Sequence, residues 1–435
     1  MNSFGRIFKV TIFGESHGEC AGVNIDGCPA GLPLKVDDFL VDIERRKGGT
    51  QKGTTPRQES DLPIFKSGLF NGYTTGAPIT IIFENNNTRS SDYQKQRDFP
   101  RPGHADFVAH QKYGGFEDYR GGGHFSGRLT VCLVAVGVIA KKLLKGIEVK
   151  STILEIGGEQ DLEKGLQKAI DNKDSIGGIV DCKVNGLPLG LGEHFFDSVE
   201  SLISHAVFAI PAVKGIEFGA GFAAAKMFGV EHNDTIADST GKTTTNHAGG
   251  IVGGITNNNE LDFRIAIKPT SSTPKEQHSL NWTTGEVEPF SVKGRHDLCI
   301  ALRVPVVLEA VTAMVLTDLM LLEYHIPRRL PKEEPIYHVT TQAAWDAAKE
   351  LGYYEAASLD TEGFIHLSTA EQVPGTLERF FAGQTNLVKL VIQPEKLIHT
   401  LKYEIAPSLN IAFPHVYGVI NLDAVNEVII IDDLR

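Results

Sequence analysis

The segment IPRRLPKEEP at residues 326–335 places three prolines within a charge run and divides the chain into two folding problems. Proline has no amide proton to give to a helix or a strand ladder, so regular structure must stop there. Before the break lie long apolar runs and glycine-rich loops, and after it about a hundred residues carry their own strand and helix patterns. A length of 435 residues also exceeds what one ordinary core serves. The sequence therefore predicts a first domain over residues 1–327, a linker over 328–335 and a second domain over 336–435.

Within the first part, residues 6–13 (RIFKVTIF) read as a strand broken by GESHG, and VDDFLVDIERR reads as a helix opened by Asp37 and Asp38. Residues 47–61 have no periodicity and read as a loop. Residues 131–145 form a buried helix ending in lysines, which suits its dipole. FRIAI at 263–267 is a strand stopped by Lys268–Pro269. Residues 304–324 form a second buried helix, whose Glu309 and Asp318 argue against a membrane span. The N-terminus shows no apolar core of a signal peptide. The net charge of −12 disfavours nucleic acid and anionic membranes as partners. Five scattered cysteines without a C-x-x-C pair indicate neither a disulfide framework nor structural zinc, which fits a cytoplasmic protein.

The acidic chain nevertheless concentrates cations locally. Arg45, Arg46, Lys47, Lys52 and Arg57 fall within thirteen residues, and RPGHAD and RGGGHFSGR add Arg101, Arg120 and Arg128 with His104 and His124. A charge run alone is ordinarily a solvated loop. Two separate Arg/Gly/His segments instead suggest a small, multiply anionic ligand, because guanidinium forks bind phosphate and carboxylate bidentately. His17, His104 and His124 sit beside glycine or serine, and imidazole is the natural proton donor to a leaving group near neutrality. No spacing among them is a metal motif, so no metal is expected. KPTSST, NHAGG and GRHD offer hydroxyls, amides and an ammonium that could hold a phosphate or a flavin edge. GESHG is also a literal G-x-S-x-G. Ser16 lies too near the N-terminus for the preceding strands of an α/β-hydrolase, and a glycine- and proline-rich stretch follows it. GAGFAA at 219–224 and GKT at 241–243 lack the context of nucleotide-binding motifs.

Taken in order, GESHG, PAGLPL, TTPRQESD, TTGAPI, RSSDY, RPGHAD, DYRGGG, VKGIEFG, NHAGGIVGGI, KPTSS and GRHD resemble the chorismate synthase family over residues 1 to about 325. The resemblance implies an α+β fold in which long helices are sandwiched between antiparallel sheets, and an assembly of four chains. It implies loss of phosphate from C3 and hydrogen from C6 of 5-enolpyruvylshikimate 3-phosphate, with reduced FMN required although no net redox change occurs. His17 would protonate the departing phosphate, His104 would manage protonation near flavin N1, and Asp297 would assist N5 in taking the C6 proton. Arg46, Lys52, Arg57, Arg101, Arg128 and Arg295 would bind the anionic substrate. The cofactor contacts would fall on Arg46, Lys52, His124, Phe125, Ser126, Pro211, Ala212, Asn246, His247, Gly253, Lys268, Pro269, Thr270, Ser271, Ser272 and Arg295. The resemblance leaves open whether NADPH reduces the flavin on this chain or an external flavin reductase does.

The chain departs from the family at RGGGHFSGRLT, where His124, Phe125 and Leu129 replace the usual Arg, Ser and Glu, and at Pro211, where Asn is usual. From Ile336 onward IYHVT, GYYEAASLDTEGFIHLS and FPHVYGVINLDAV resemble a different family, DUF952, which has been compared with ADP-ribosyltransferase-like folds. His338, Thr340, His366 and Ser368 are its polar candidates, and a plain folded appendage is the alternative. For the whole chain the competing readings are a serine hydrolase centred on Ser16 and a non-catalytic anion-binding protein.

Overall fold

The computed structural model describes residues 2–49, 52–55, 59–86, 98–292, 296–330, 334–406 and 411–431. It divides into two compact units, Met1–Leu330 and Pro331–Arg435. Residues 328–330, expected in the linker, belong to the first unit: Leu330 N donates to Ala30 O at 3.0 Å, and Arg329 bridges Ala30 in parallel.

The first unit opens with strands Ser3–Phe4 (β1), Lys9–Gly14 (β2), Cys20–Asp26 (β3), Ile64–Ser67 (β4) and Ile79–Glu84 (β5), which form an antiparallel sheet in the order β1-β2-β3-β5-β4. A second antiparallel sheet contains Glu148–Ile156 (β6), Gly178–Asn185 (β7), Val213–Phe218 (β8) and Leu261–Ile267 (β9), in the order β8-β9-β7-β6. Its central strand β9 alternates buried and half-buried residues along its length, the period-two pattern of a sheet with one face in the core.

Among its helices are Asp37–Arg46 (α1), Asp106–Tyr113 (α2), Thr130–Leu143 (α3), Val199–Val207 (α4) and Val304–Leu322 (α5). The two apolar ones, α3 and α5, lie against each other; α3 also packs on β3, and α5 on β6 and β7. They are thus the filling between the sheets, and one apolar cluster runs through all four layers. Their crossing is close because Gly137 faces Ala310, where an added Cβ would come within 2.3 Å of the alanine Cβ. The architecture is the expected α+β arrangement of helices between antiparallel sheets.

Helix α5 is apolar enough to cross a membrane by composition, yet 89% of that stretch is buried inside the protein. Its two carboxylates explain themselves locally. Asp318 accepts the backbone N–H groups of Arg6, Ile7 and Phe8, each at 2.8 Å, and so pins the N-terminal segment to the core. Glu309 takes both guanidinium nitrogens of Arg45 at 2.7 Å. Asp318→Ala would leave three amides without their acceptor, each worth about 1–3 kcal/mol. The expected result is a clear fall in the urea midpoint of the first unit, with Asp318→Asn milder because one carbonyl oxygen remains. A wild-type midpoint in the alanine variant would contradict this role.

In the second unit, strands Ile336–Thr341 (β10), Leu387–Ile392 (β12) and Val425–Ile431 (β15) pair as β10-β12-β15. A second three-stranded sheet pairs Ile365–His366 (β11), Leu401–Ala406 (β13) and Ile411–Val416 (β14) in the order β11-β14-β13. Helix Gln342–Leu351 (α6) covers a core that includes Trp345, Tyr354 and Ile365. This unit is also α+β and has an apolar core of its own.

Candidate functional site

A cavity of about 620 Å³ opens in the first unit, a size suited to a cofactor or a small substrate. Its described wall carries six cations, Arg46, Lys47, Arg101, Arg128, Lys268 and Arg303, against three carboxylates, Glu59, Asp61 and Asp297. The excess is positive in a chain whose net charge is −12. Phe4, Ile12, Leu133 and Met314 supply an apolar side, and Ser126, Thr270, Ser271 and Ser272 supply hydroxyls. Cations, hydroxyls and an apolar side together fit a flat ring that carries a phosphate.

The three central arginines are all buried and held from behind. Arg46, at the end of α1, donates to Thr130 Oγ1 at 2.9 Å and to the carbonyls of Gly127 and Arg128 at 3.1 and 3.0 Å. It shares the carboxylate of Asp61 with Arg128, which also donates to Asn85 Oδ1 at 3.0 Å. Two guanidinium groups thus divide one negative charge. Burial, and then the nearby charge of Arg303, pull the Arg46 guanidinium down to about 9, with Asp61 opposing. An anion entering the cavity would relieve that strain. Asp61 itself sits at φ 50°, a left-handed conformation that an aspartate tolerates better than most residues. Arg101 bonds Asp106 through Nε at 2.7 Å and Nη2 at 2.9 Å, and reaches Ser272 Oγ with Nη1 at 3.1 Å.

The RGGG turn borders the site through Gly121. Gly121, Gly122 and Gly123 have φ of 59°, 83° and 52°, a run of left-handed residues that only glycine adopts without strain. The turn threads between two histidines. A Cβ on Gly121 would fall 2.3 Å from His17 Nδ1, and one on Gly122 would fall 3.1 Å from His104 Cε1. Gly121 and His104 line the cavity, whereas His17, only 7% exposed, lies one layer behind Gly121. His124 donates Nδ1–H to Gly14 O at 2.9 Å and so ties the turn to the end of β2.

Also on the wall, Asp297 accepts from Thr55 N at 2.8 Å and from Arg303 Nη1 at 2.9 Å. Lys268 donates its backbone N–H to Ala212 O at 2.9 Å, and its ammonium reaches Ser271 Oγ at 3.3 Å. Ala212, beside Pro211, holds φ 73°, a strained conformation at the cavity wall.

The structure therefore brings together Arg46, Arg101, His104, His124, Phe125, Ser126, Arg128, Pro211, Ala212, Lys268, Thr270, Ser271, Ser272 and Asp297. It does not bring Lys52 to the described wall; that side chain is exposed and donates to Gln167 Oε1 at 3.3 Å. Pro269, Asn246, His247 and Gly253 are likewise absent from it. Asn246 braces its own loop, accepting from Gly250 N and donating to Glu260 O at 2.8 Å each, and His247 N donates to Asp234. Gly253 sits in the turn of the hairpin Ile251–Val252/Ile255–Thr256. Arg57 and Arg295 lie outside the described residues. Sequence reasoning missed Asp61, Asp106 and Arg303. Only Arg303 had a local signal, as a lone cation entering the apolar run of α5.

Ser16 is fully buried, and a strand, not a helix, follows its loop. The hydrolase alternative thus loses the strand–turn–helix geometry that a nucleophile elbow requires.

In the second unit His338 donates Nδ1–H to His366 O at 2.8 Å, and its Nε2 lies 2.8 Å from Tyr354 Oη, which is 2.9 Å from Thr340 Oγ1. Burial pushes His338 down to about 4, so it is neutral. Ser368 pairs with Thr376 at 2.9 Å, and the exposed His366 with Glu362 at 3.1 Å. His338 thus links to Thr340 through Tyr354 and to the backbone of His366, while Ser368 pairs apart from them. Among the described residues no cluster in either unit could hold a metal ion.

Comparison with known proteins agrees with the two-unit division. Residues 8–321 match the family model "Chorismate synthase", and residues 339–428 match DUF952, a protein family of unknown function. The chorismate synthase of Chitinophaga pinensis is 74% identical over 324 residues, covering 74% of this chain and 97% of that protein. That of Methanocaldococcus jannaschii is 40% identical over 365 residues, covering 74% and 96%. A crystal structure of chorismate synthase aligns with a TM-score of 0.56 at 25% identity, covering 74% of this chain and 93% of that one.

Proposed function

The chain belongs to the chorismate synthase family of carbon–oxygen lyases, and we propose that its first unit converts 5-enolpyruvylshikimate 3-phosphate into chorismate by 1,4-anti elimination. The observation that carries the reading is the cation-rich wall of one cavity in an acidic chain. The substrate brings a phosphate and two carboxylates, the charge that Arg46, Arg101 and Arg128 are held in place to meet. The C3–O bond breaks toward phosphate while C6 gives up its hydrogen as a proton. His17 would protonate the departing phosphate, and the missing side chain at Gly121 is what lets its ring pack against the cavity wall, since an added Cβ would come within 2.3 Å of Nδ1. Asp297, held by Thr55 N and Arg303, would assist the flavin N5 in taking the C6 proton. Preorganised cations around developing phosphate charge supply the largest part of the acceleration.

Reduced FMN, when bound, lends electron density to the allylic system. Ser126, Ala212, Lys268 and the hydroxyls of Thr270, Ser271 and Ser272 are the residues that would hold it. A bacterium lacking this step of aromatic amino acid biosynthesis should grow on minimal medium when given the full-length chain and should fail to grow with Arg128→Ala. Failure of the wild-type chain to restore growth would count against the reading.

Assembly of several copies is part of the proposal. None of residues 214–248 is buried, and this stretch exposes Phe222, Phe228, Val230 and Ile236. An apolar surface of that kind is what an interface covers. Light scattering should give a multiple of 47.3 kDa for the wild type and a smaller mass for Phe228→Asp/Val230→Asp. A monomeric wild type would contradict it.

A further inference from the structure

We propose that Asp106 is a positioning residue that decides which ring nitrogen of His104 carries the proton. Asp106 is the first residue of α2, where the positive end of the helix dipole favours a carboxylate. It lies behind the cavity wall, in a small space shared with Ala109, Gly122 and Trp282, while His104 and Arg101 face the cavity. Its two oxygens accept four bonds. Oδ2 takes Arg101 N at 3.0 Å and Arg101 Nε at 2.7 Å, and Oδ1 takes Arg101 Nη2 at 2.9 Å and His104 Nδ1 at 2.6 Å.

The geometry requires a proton on Nδ1. Arg101 Nη2 also lies 3.0 Å from His104 Nδ1, but a guanidinium nitrogen can only donate. At 2.6 Å from a carboxylate, Nδ1 must itself carry a proton, so both nitrogens donate to Asp106 Oδ1. Burial acts to raise the Asp106 carboxyl, but the bonds from Arg101 and His104 outweigh it and hold the group ionised well below the usual carboxylate range. In the neutral ring Nε2 is then the acceptor. Gly122 keeps that side of the ring clear, since an added Cβ would lie 3.3 Å from Nε2. Without the Asp106 charge, the nearest partner of Nδ1 is the Arg101 N–H. That contact makes Nδ1 the acceptor and moves the proton to Nε2. In the neutral ring Asp106 therefore leaves an acceptor, not a donor, at Nε2. The mechanistic weight of this rests on the chorismate synthase reading; the tautomer itself does not.

The test uses the full-length chain labelled with ¹⁵N-histidine, at a pH where the ring is neutral, with His104→Gln to identify the His104 signals. The wild type should show the Nδ1–H tautomer and Asp106→Asn the Nε2–H tautomer. With reduced FMN and substrate, Asp106→Asn should lose at least ~10²-fold in kcat with KM little changed, as a wrongly protonated catalytic imidazole does. Asp106→Glu should restore both the tautomer and part of the rate, and it supplies the comparison if Asp106→Asn does not fold. Retention of Nδ1–H in Asp106→Asn, a loss confined to KM, or a Glu variant with the Nε2–H tautomer would overturn the proposal. A wild-type chain with the Nδ1–H tautomer but no turnover would instead overturn the functional reading and leave the tautomer assignment intact.

Discussion

Replacing His17 by alanine should lower kcat by at least ~10²-fold, the scale of a lost general acid, while reduced FMN still binds. The ring is almost fully buried behind Gly121, so the change removes a proton donor without opening the cation-lined wall. The same loss should follow from Gly121→Ala, which leaves His17 in the chain. A Cβ there would sit 2.3 Å from His17 Nδ1, and φ 59° already disfavours any side chain. The ring must move or the turn must refold. Anaerobic steady-state kinetics with a parallel flavin-binding titration checks both variants. Near-normal turnover in His17→Ala would remove the proposed acid; normal turnover in Gly121→Ala alone would show that the turn does not set its position.

A large effect on stability is also expected at Asp61. Its carboxylate is 2% exposed and lies between the guanidinium groups of Arg46 and Arg128, each 4% exposed. Asp61→Ala leaves two buried cations facing each other without a counter-charge, and breaking a buried pair in this way costs about 3–5 kcal/mol. Thermal unfolding of the first unit should shift down by several degrees. Added inorganic phosphate should recover more stability in the variant than in the wild type, because an anion in the cavity replaces the missing charge. A variant as stable as the wild type, or one indifferent to phosphate, would show that the two arginines do not depend on Asp61.

The two helices at 130–143 and 304–322 were legible because long apolar runs can only be buried, and Glu309 and Asp318 marked the second as a core helix rather than a membrane span. The local cations were legible for a similar reason: Arg46, Arg101 and Arg128 stood out against an acidic background, and all three line the cavity. What holds them was not legible. Asp61 in its loop and Asp106 at the start of α2 act through partners that the fold or the preceding turn brings close, and a single Asp carries no mark of that in the sequence. Lys52 shows the reverse error. It shares a charge run with Arg46, but adjacency in sequence does not set direction, and the structure turns it toward Gln167. The glycines of RGGG announced a tight turn, yet the passage of that turn between His17 and His104 is a tertiary fact. Asn246 and His247 bear on their own loop, a structural use of polar side chains that motif reading cannot separate from ligand contact.

The second unit stands apart from these arguments. Its apolar core and its half-buried, hydrogen-bonded His338 are those of a folded domain, and its family has no assigned function.

The central claim is that this cavity eliminates phosphate from its substrate with the help of reduced flavin. The most direct measurement is an anaerobic assay of the full-length chain with 5-enolpyruvylshikimate 3-phosphate, following inorganic phosphate and chorismate together. The account predicts equal amounts of both with reduced FMN and neither with oxidised FMN. Substrate binding without phosphate release under reducing conditions, or release that ignores the state of the flavin, would contradict it.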